Sequence, residues 1–297
     1  MKDFLQSFIH RWRTEKVQRL PTIELEYPPF PRPRYGHGHP PHPELWAILN
    51  RYRSSYREAL DAILRLGDHF REMVQAPIRK DRDPDWRDSF FYSIDATALY
   101  MFISRYKPHR LVEVGSGNST RFARSAVSDL QLATRIISID PSPRQIVGEV
   151  ADEVIESRVE DLPSLDLLYE LKAGDILFWD GSHVCHMNSD VTILFLEILP
   201  RLNPGVVVQI HDIWLPYDYP PEWTDRFYSE QYLLAAHLLA EATRLRPLLS
   251  NAFVWGDREL SEIIDPLMEE LGYQGWLRHG TSFWFEMLPA TVSYEHA

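Results

Sequence analysis

Leu111-Val-Glu-Val-Gly-Ser-Gly-Asn-Ser-Thr120 is an apolar run that ends in a glycine pair and continues into a helical pattern. That order reads as a buried strand, a tight turn and a helix. Gly115 and Gly117 let the backbone approach a ligand closely, and the helix start behind them offers N–H groups with no partner inside the helix. Asp140 ends the next apolar run, 25 positions after Gly115. Nucleotide-binding folds place the carboxylate that grips ribose hydroxyls near there, about 20 residues on. Two details narrow the ligand. Thr120 stands where the dinucleotide pattern has its third glycine, so a pyrophosphate is poorly served. Glu113 sits just before the turn, where negative charge repels phosphate and suits an ammonium or sulfonium group.

Outward from this stretch, strands and helices alternate. A helix over Ile94–Tyr106 precedes Leu111–Val114. The strand Arg135–Asp140, a short helix near Arg144–Val150 and a strand around Val154–Val159 follow. Next come a helix near Pro163–Leu171, the strand Asp175–Asp180, the helix Ser189–Leu202 and the strand Gly205–Ile210. The C-terminal part reads as a helix (Glu230–Glu241), a strand (Ala252–Trp255), a helix (Arg258–Leu271) and a last strand (Ser282–Met287). Alternation of this kind implies right-handed crossovers and an α/β fold with a doubly wound, mostly parallel sheet.

Three features together resemble the class I S-adenosylmethionine-dependent methyltransferases: Glu113-Val-Gly-Ser-Gly117, Ile136-Ile-Ser-Ile-Asp140, and the later strand ends Asp180 and His211-Asp212. The resemblance covers roughly residues 90–290 and is nearest the bacterial small-molecule branch of catechol and rhamnosyl O-methyltransferases. It implies a seven-stranded Rossmann-like sheet and S-adenosylmethionine as cofactor. By that resemblance Glu113, Gly115, Ser116, Gly117, Asn118 and Ser119 contact the methionine end. Asp140 takes the ribose hydroxyls, Asp161 accepts from the adenine amino group, and Asp180 borders the cofactor.

Methyl transfer from a sulfonium is an in-line displacement. The protein must position a nucleophile and remove its proton. Asp180-Gly-Ser-His183 and His211-Asp212 supply the groups for this. In the metal-dependent O-methyltransferases such positions hold magnesium, and Asp180, His211 and Asp212 form the expected metal set. A histidine departs from magnesium's preference for oxygen and suits manganese, iron or zinc better. His183, His211 and Asp212 are the candidates for direct chemistry, either histidine serving as a base without any metal. The aromatic and proline-rich stretch from Ile213 to Trp223 is expected to cover the acceptor. Tyr92 and Asp95 are further pocket candidates. Asn188-Ser189-Asp190 reads as a helix cap, and Cys185 and His186 as structural.

Ahead of Phe90 the pattern changes. Residues 2–16 place Phe4, Leu5, Phe8, Ile9 and Trp12 on one helical face. Residues 27–43 carry so many prolines that they read as an extended linker, not as a site built by His37, His39 and His42. Helical spacing resumes from Pro43 to about Val74, and a polar loop follows to Ser89. The expected organisation is therefore a helical and Pro/His-rich extension over 1–89 and a methyltransferase domain over 90–297.

The chain has 297 residues, 44% of them hydrophobic, which supports a large core and excludes wholesale disorder. With 43 acidic against 31 basic side chains the net charge is −12, which argues against nucleic acid. Residues 1–40 hold seven basic and four acidic residues, so the extension is mildly basic on an acidic core. That contrast points to self-association through the extension. One cysteine, no 18-residue apolar run and no signal-like N-terminus lead to an expected cytoplasmic location. The leading expectation is a methyltransferase acting on a small-molecule hydroxyl. Alternatives are a metal-independent N-methyltransferase, a non-catalytic cofactor-binding or scaffolding protein, and an NAD-dependent oxidoreductase.

Overall fold

The computed structural model describes residues 26–27, 29–77, 82–88, 90–240 and 244–289, and the helix expected over 2–16 lies outside them. The chain divides into residues 1–31 and a compact unit of residues 32–297. The helices ahead of Phe90 therefore belong to the same unit as the sheet.

That sheet has seven strands: β1 (Arg110–Val114), β2 (Arg135–Ile139), β3 (Glu153–Ile155), β4 (Ile176–Trp179), β5 (Val207–Ile210), β6 (Leu245–Ser250) and β7 (Phe283–Met287). Their order is β3-β2-β1-β4-β5-β7-β6. The first five run parallel, while β7 is antiparallel to both β5 and β6. Strands covered on both faces need apolar side chains throughout, and β4 and β5 are buried at every position. The order reverses between β1 and β4. In open α/β sheets that switch point opens a crevice at the strands' carboxyl ends, here beside Gly115 and Asp180.

The extension supplies α1 (Pro43–Asn50), α2 (Arg53–Arg65) and α3 (Gly67–Gln75). Tyr56, Ala59, Leu60 and Ile63 recur on one face of α2 and are buried against β6. Helix α4 (Ser93–Tyr106) packs on α5 (Asn118–Asp129), which follows the glycine turn. The short helices α6 (Val147–Val150) and α7 (Asp166–Tyr169) flank β3 and precede β4. Helix α8 (Asp190–Ile193) widens into a π-helical stretch, Leu194–Ile198, and ends as α9 (Leu199–Arg201). Pro200 lacks an N–H and crowds the carbonyl four residues back, which the wider turn relieves. Helix α10 (Glu230–Leu239) precedes β6, and α11 (Asn251–Gly256) and α12 (Arg258–Glu270) separate β6 from β7.

Two expectations change. The strand expected over Ala252–Trp255 is α11, and the strand lies earlier, at Leu245–Ser250. The run Ala-Phe-Val-Trp looks strand-like, but Ser250 caps it, its hydroxyl accepting from the Phe253 amide at 3.4 Å. Pro247 concealed the true strand, and the sheet tolerates it because β6 is an edge. Within the segment expected to be an extended linker, residues 34–42 make fixed contacts. Asp218 accepts from the Arg34 and Tyr35 amides at 2.7 and 3.0 Å, and the His37 ring contacts the Asp218 carbonyl at 2.9 Å. His42 caps α1, accepting from the Leu45 amide at 3.4 Å.

Candidate active site

The turn after β1 is threaded between its neighbours. The Gly115 amide donates to the Ile139 carbonyl at 3.0 Å, and the Asp180 amide donates to the Val114 carbonyl at 2.9 Å. Gly115 has φ +79°, and a Cβ there would stand 1.9 Å from the Asp180 carbonyl oxygen, so only glycine fits. At Gly117 a Cβ would meet nothing within 4 Å, which leaves open room above the helix start.

Glu113 is buried beneath this turn. Its carboxylate accepts from the hydroxyls of Ser119, of Thr120 at 2.5 Å and of Ser138 at 3.0 Å. Burial pushes its pKa up to about 7 against the pull of those three donors. Asp140 accepts from the Ser116 amide at 2.9 Å and hydroxyl at 2.6 Å, and from the Ser142 amide at 2.7 Å. Asn118 is turned the other way, donating to the carbonyls of Asp85 at 2.7 Å and Phe91 at 2.9 Å. Its side chain ties the 85–91 segment to the turn, and Ser119 is committed to Glu113. Asp161 is exposed on the short 3-10 turn Val159–Asp161 after β3.

Beyond β4 and β5 the polar groups are charged. Asp180, His183 and Asp212 each offer a ligand atom, and these atoms lie within 4.8 Å of one another. His183 Nε2 stands 3.2 Å from Asp180 and 3.5 Å from Asp212. His211 approaches the same two carboxylates with Nδ1, at 3.6 and 3.4 Å. The converging trio thus takes His183 where the sequence pattern pointed to His211. His183 and Asp212 both hold left-handed backbone, at φ +61° and +55°. Such conformations are uncommon outside glycine and gather where a site fixes a side chain's direction.

Each imidazole is braced from behind by a buried acid. His183 Nδ1 meets Glu230 at 2.8 Å. His211 Nε2 faces Asp95 at 3.4 Å, an ion-pair approach and not an aligned hydrogen bond. Asp95 is pinned in turn by Asn251 Nδ2 at 2.7 Å and the Ser282 amide at 2.8 Å. Burial opposes a charge on either ring, but the surrounding carboxylates outweigh it and hold both well above the ordinary histidine value. Burial would also raise Asp212, yet His211 and His183 hold it down to about 2. Glu230 is pushed up by burial against the pull of His183. With three carboxylates around one ring, the proton of that pair rests on His183.

The Asp180–His183 turn is itself held. Asp190 accepts from the Ser182 amide at 2.7 Å and from its hydroxyl, and a Cβ on Gly181 would collide with Asp190 at 1.9 Å. Ser189 caps α8, so Asp190 is free to brace this turn. Glu230 and Ser138 were given no role by the sequence pattern, and Asp190 only a place in a helix cap. Ser229-Glu230 before an apolar run marks a helix start, but not that the acid turns inward. The loop after β5 packs as a chain of rings: Trp214 and Trp223 lie 5.5 Å apart, Trp223 and Tyr228 5.7 Å, and Tyr228 and His183 4.7 Å.

Residues 112–213 match a family described as a methyltransferase domain. The matched stretch runs from β1 to the residue after Asp212, so it spans the glycine turn and both strand-end clusters. Residues 112–213 of the chain are thus a methyltransferase domain. No protein of curated function matches the sequence. Among solved structures, it is similar to a Podospora anserina methyltransferase bound to S-adenosylhomocysteine, at 16% identity and TM-score 0.41, covering 77% of this chain and 88% of that one. It is also similar to a coclaurine N-methyltransferase, at 10% identity and TM-score 0.34, covering 83% and 94%. No helix among the described residues is long and apolar enough to cross a membrane.

Proposed function

We propose that this methyltransferase acts on a hydroxyl of a small molecule, with a divalent cation held by Asp180, His183 and Asp212 beside the cofactor. The observation that carries the reading is the convergence of those three side chains at the ends of β4 and β5. The donor set fits a dication. Asp95, Asp180, Asp212 and Glu230 bring four carboxylates to two imidazoles, so negative charge exceeds positive even with both rings protonated. An imidazole beside two carboxylates suits manganese, iron or zinc better than magnesium. When bound, such an ion lowers the pKa of a coordinated hydroxyl.

The remaining roles fall to the chain itself. Asp140 and the open room at Gly117 fit the ribose and methionine parts of S-adenosylmethionine. Asp161 lies on the adenine side, and Asp180 borders both ligands. Glu113 supports the turn from below and does not contact the cofactor. Glu230 and Asp95 orient the two imidazoles.

Equilibrium dialysis with manganese, followed by metal analysis, tests this. About one ion per chain is expected, lost in Asp180→Asn and in Asp212→Asn. Methyl transfer to a hydroxyl by enzyme shown to be metal-free would overturn the cation's part, and transfer only to amines would overturn the hydroxyl.

A further inference from the structure

The guanidinium of Arg226 lies 4.2 Å above the Trp223 ring and 5.5 Å from the Tyr228 ring. Tyr228 is the residue whose ring touches His183 at 4.7 Å. Two ring contacts therefore lead from the Asp180–His183–Asp212 trio to one positive charge. Several other half-buried arginines are engaged: Arg53 binds Asp257 at 2.6 Å, Arg124 binds Asp152 at 2.7 Å, Arg278 binds Glu269 at 2.7 Å, and Arg244 donates to three carbonyls, whereas the Arg121 Nε is buried without a partner and no ring contact ties Arg121 to the trio. Among the described residues, the Arg226 guanidinium has no hydrogen-bond or ion-pair partner. Its close contacts are with the faces of the two rings.

A cation over a ring face is attracted by the π-system without using its N–H groups, so up to five donors stay available to a ligand. A planar fork with unused donors matches a carboxylate in geometry as well as in charge.

We infer that Arg226 recognises a carboxylate on the methyl acceptor whose hydroxyl faces Asp180, His183 and Asp212. The acceptor class is then a hydroxylated ring bearing an acidic group. The inference rests on the hydroxyl reading above and adds to it the part of the acceptor that does not react.

Calorimetric titration separates the two claims. The full chain, loaded with S-adenosylhomocysteine and manganese, is titrated with 3,4-dihydroxybenzoate and with its methyl ester. Vicinal hydroxyls chelate a dication, and only the acid offers a carboxylate. The acid is expected to bind at least tenfold tighter than the ester. Arg226→Gln abolishes that preference while ester affinity stays within about twofold, which also reports that the variant is folded. Arg226→Lys, keeping charge without the fork, retains part of it. Equal binding of acid and ester by the unaltered chain overturns the role of Arg226, as does a preference that survives in Arg226→Gln. If the ester then still binds in a manganese-dependent way, the hydroxyl reading stands alone. Failure of both compounds to bind, with or without manganese, overturns both.

Discussion

At the ends of β1 and β2 the polar groups satisfy one another, with three hydroxyls on Glu113 and two amides and a hydroxyl on Asp140, whereas the ends of β4 and β5 are crowded with charge. There Asp180, His183, His211 and Asp212 face one another at 3.2 to 3.6 Å, two of them on left-handed backbone. Glu230 Oε1 is buried with no partner at all. Buried charge is tolerated only when paired, and like charges in one site oppose ionisation. The first half of the crevice is complete without a ligand. The second is arranged so that a cation relieves it.

Removing a charge from the second half should have the largest effect. Asp212→Asn takes away a ligand and a partner of both imidazoles. We expect manganese affinity to fall by a hundredfold or more and turnover with it, while affinity for S-adenosylhomocysteine changes less than about threefold. Parallel metal and nucleoside titrations check this, and an equal loss of both ligands would mean that the two halves are not separate. The first half is probed by Asp140→Ala. It removes the anchor of Ser116 and a charge-assisted contact to ribose, together worth about 1.5–3 kcal/mol. Nucleoside affinity should drop roughly 10- to 100-fold with manganese binding intact, and unchanged affinity would misplace the ribose site.

These two halves were unequally legible in the sequence. Glu113, the glycine turn and Asp140 sit on consecutive strands, where a short-range pattern fixes which residues share an edge. Asp180, His183, His211 and Asp212 stood out for the same reason, each within four residues of a strand end. Glu230 reaches His183 across 47 positions, and Asp95 reaches the Ser282 amide across 187, from helices whose packing no periodicity specifies. The choice of His183 over His211 for the trio depends on the 180–183 turn, which Asp190 closes from the next helix. Strand β6 was hidden by Pro247, because a pattern cannot tell an edge from the middle of a sheet. Arg226 carried no signal, since its distinction is its place over the Trp223 and Tyr228 rings, which only the folded loop creates.

A smaller effect is expected behind the trio. Glu230→Gln keeps the shape of the side chain but replaces a carboxylate with an amide, so His183 loses a charged brace. Loss of such an outer partner typically lowers metal affinity by about tenfold or somewhat more. Because one partner of a buried charge pair is removed, the melting temperature should also fall. Glu230→Ala, which leaves His183 Nδ1 without an acceptor, should lower manganese affinity further. Manganese affinity equal to that of the unaltered chain in Glu230→Gln would show that the contact is packing alone.

The smallest effect tests whether the first half is as self-contained as its hydrogen bonds imply. Glu113 ionises near pH 4.5 when unfolded but near 7 when folded. Its folded pKa is raised, so between those values the native state binds more of this proton than the unfolded state does. Stability from this group is therefore full below pH 4.5 and is lost as the pH rises through 7. The slope from one such group is at most about 1.4 kcal/mol per pH unit. Glu113→Gln has no proton to lose, and its amide can still accept from one hydroxyl and donate to another. Urea unfolding at several pH values from 4.5 to 7.5 should show the unaltered chain losing stability relative to Glu113→Gln across that window. Manganese and nucleoside affinities at pH 7.5 should differ little between the two proteins. Parallel stability curves would mean that Glu113 stays ionised beneath the turn, and the contrast between a neutral half and a charged half would then be lost.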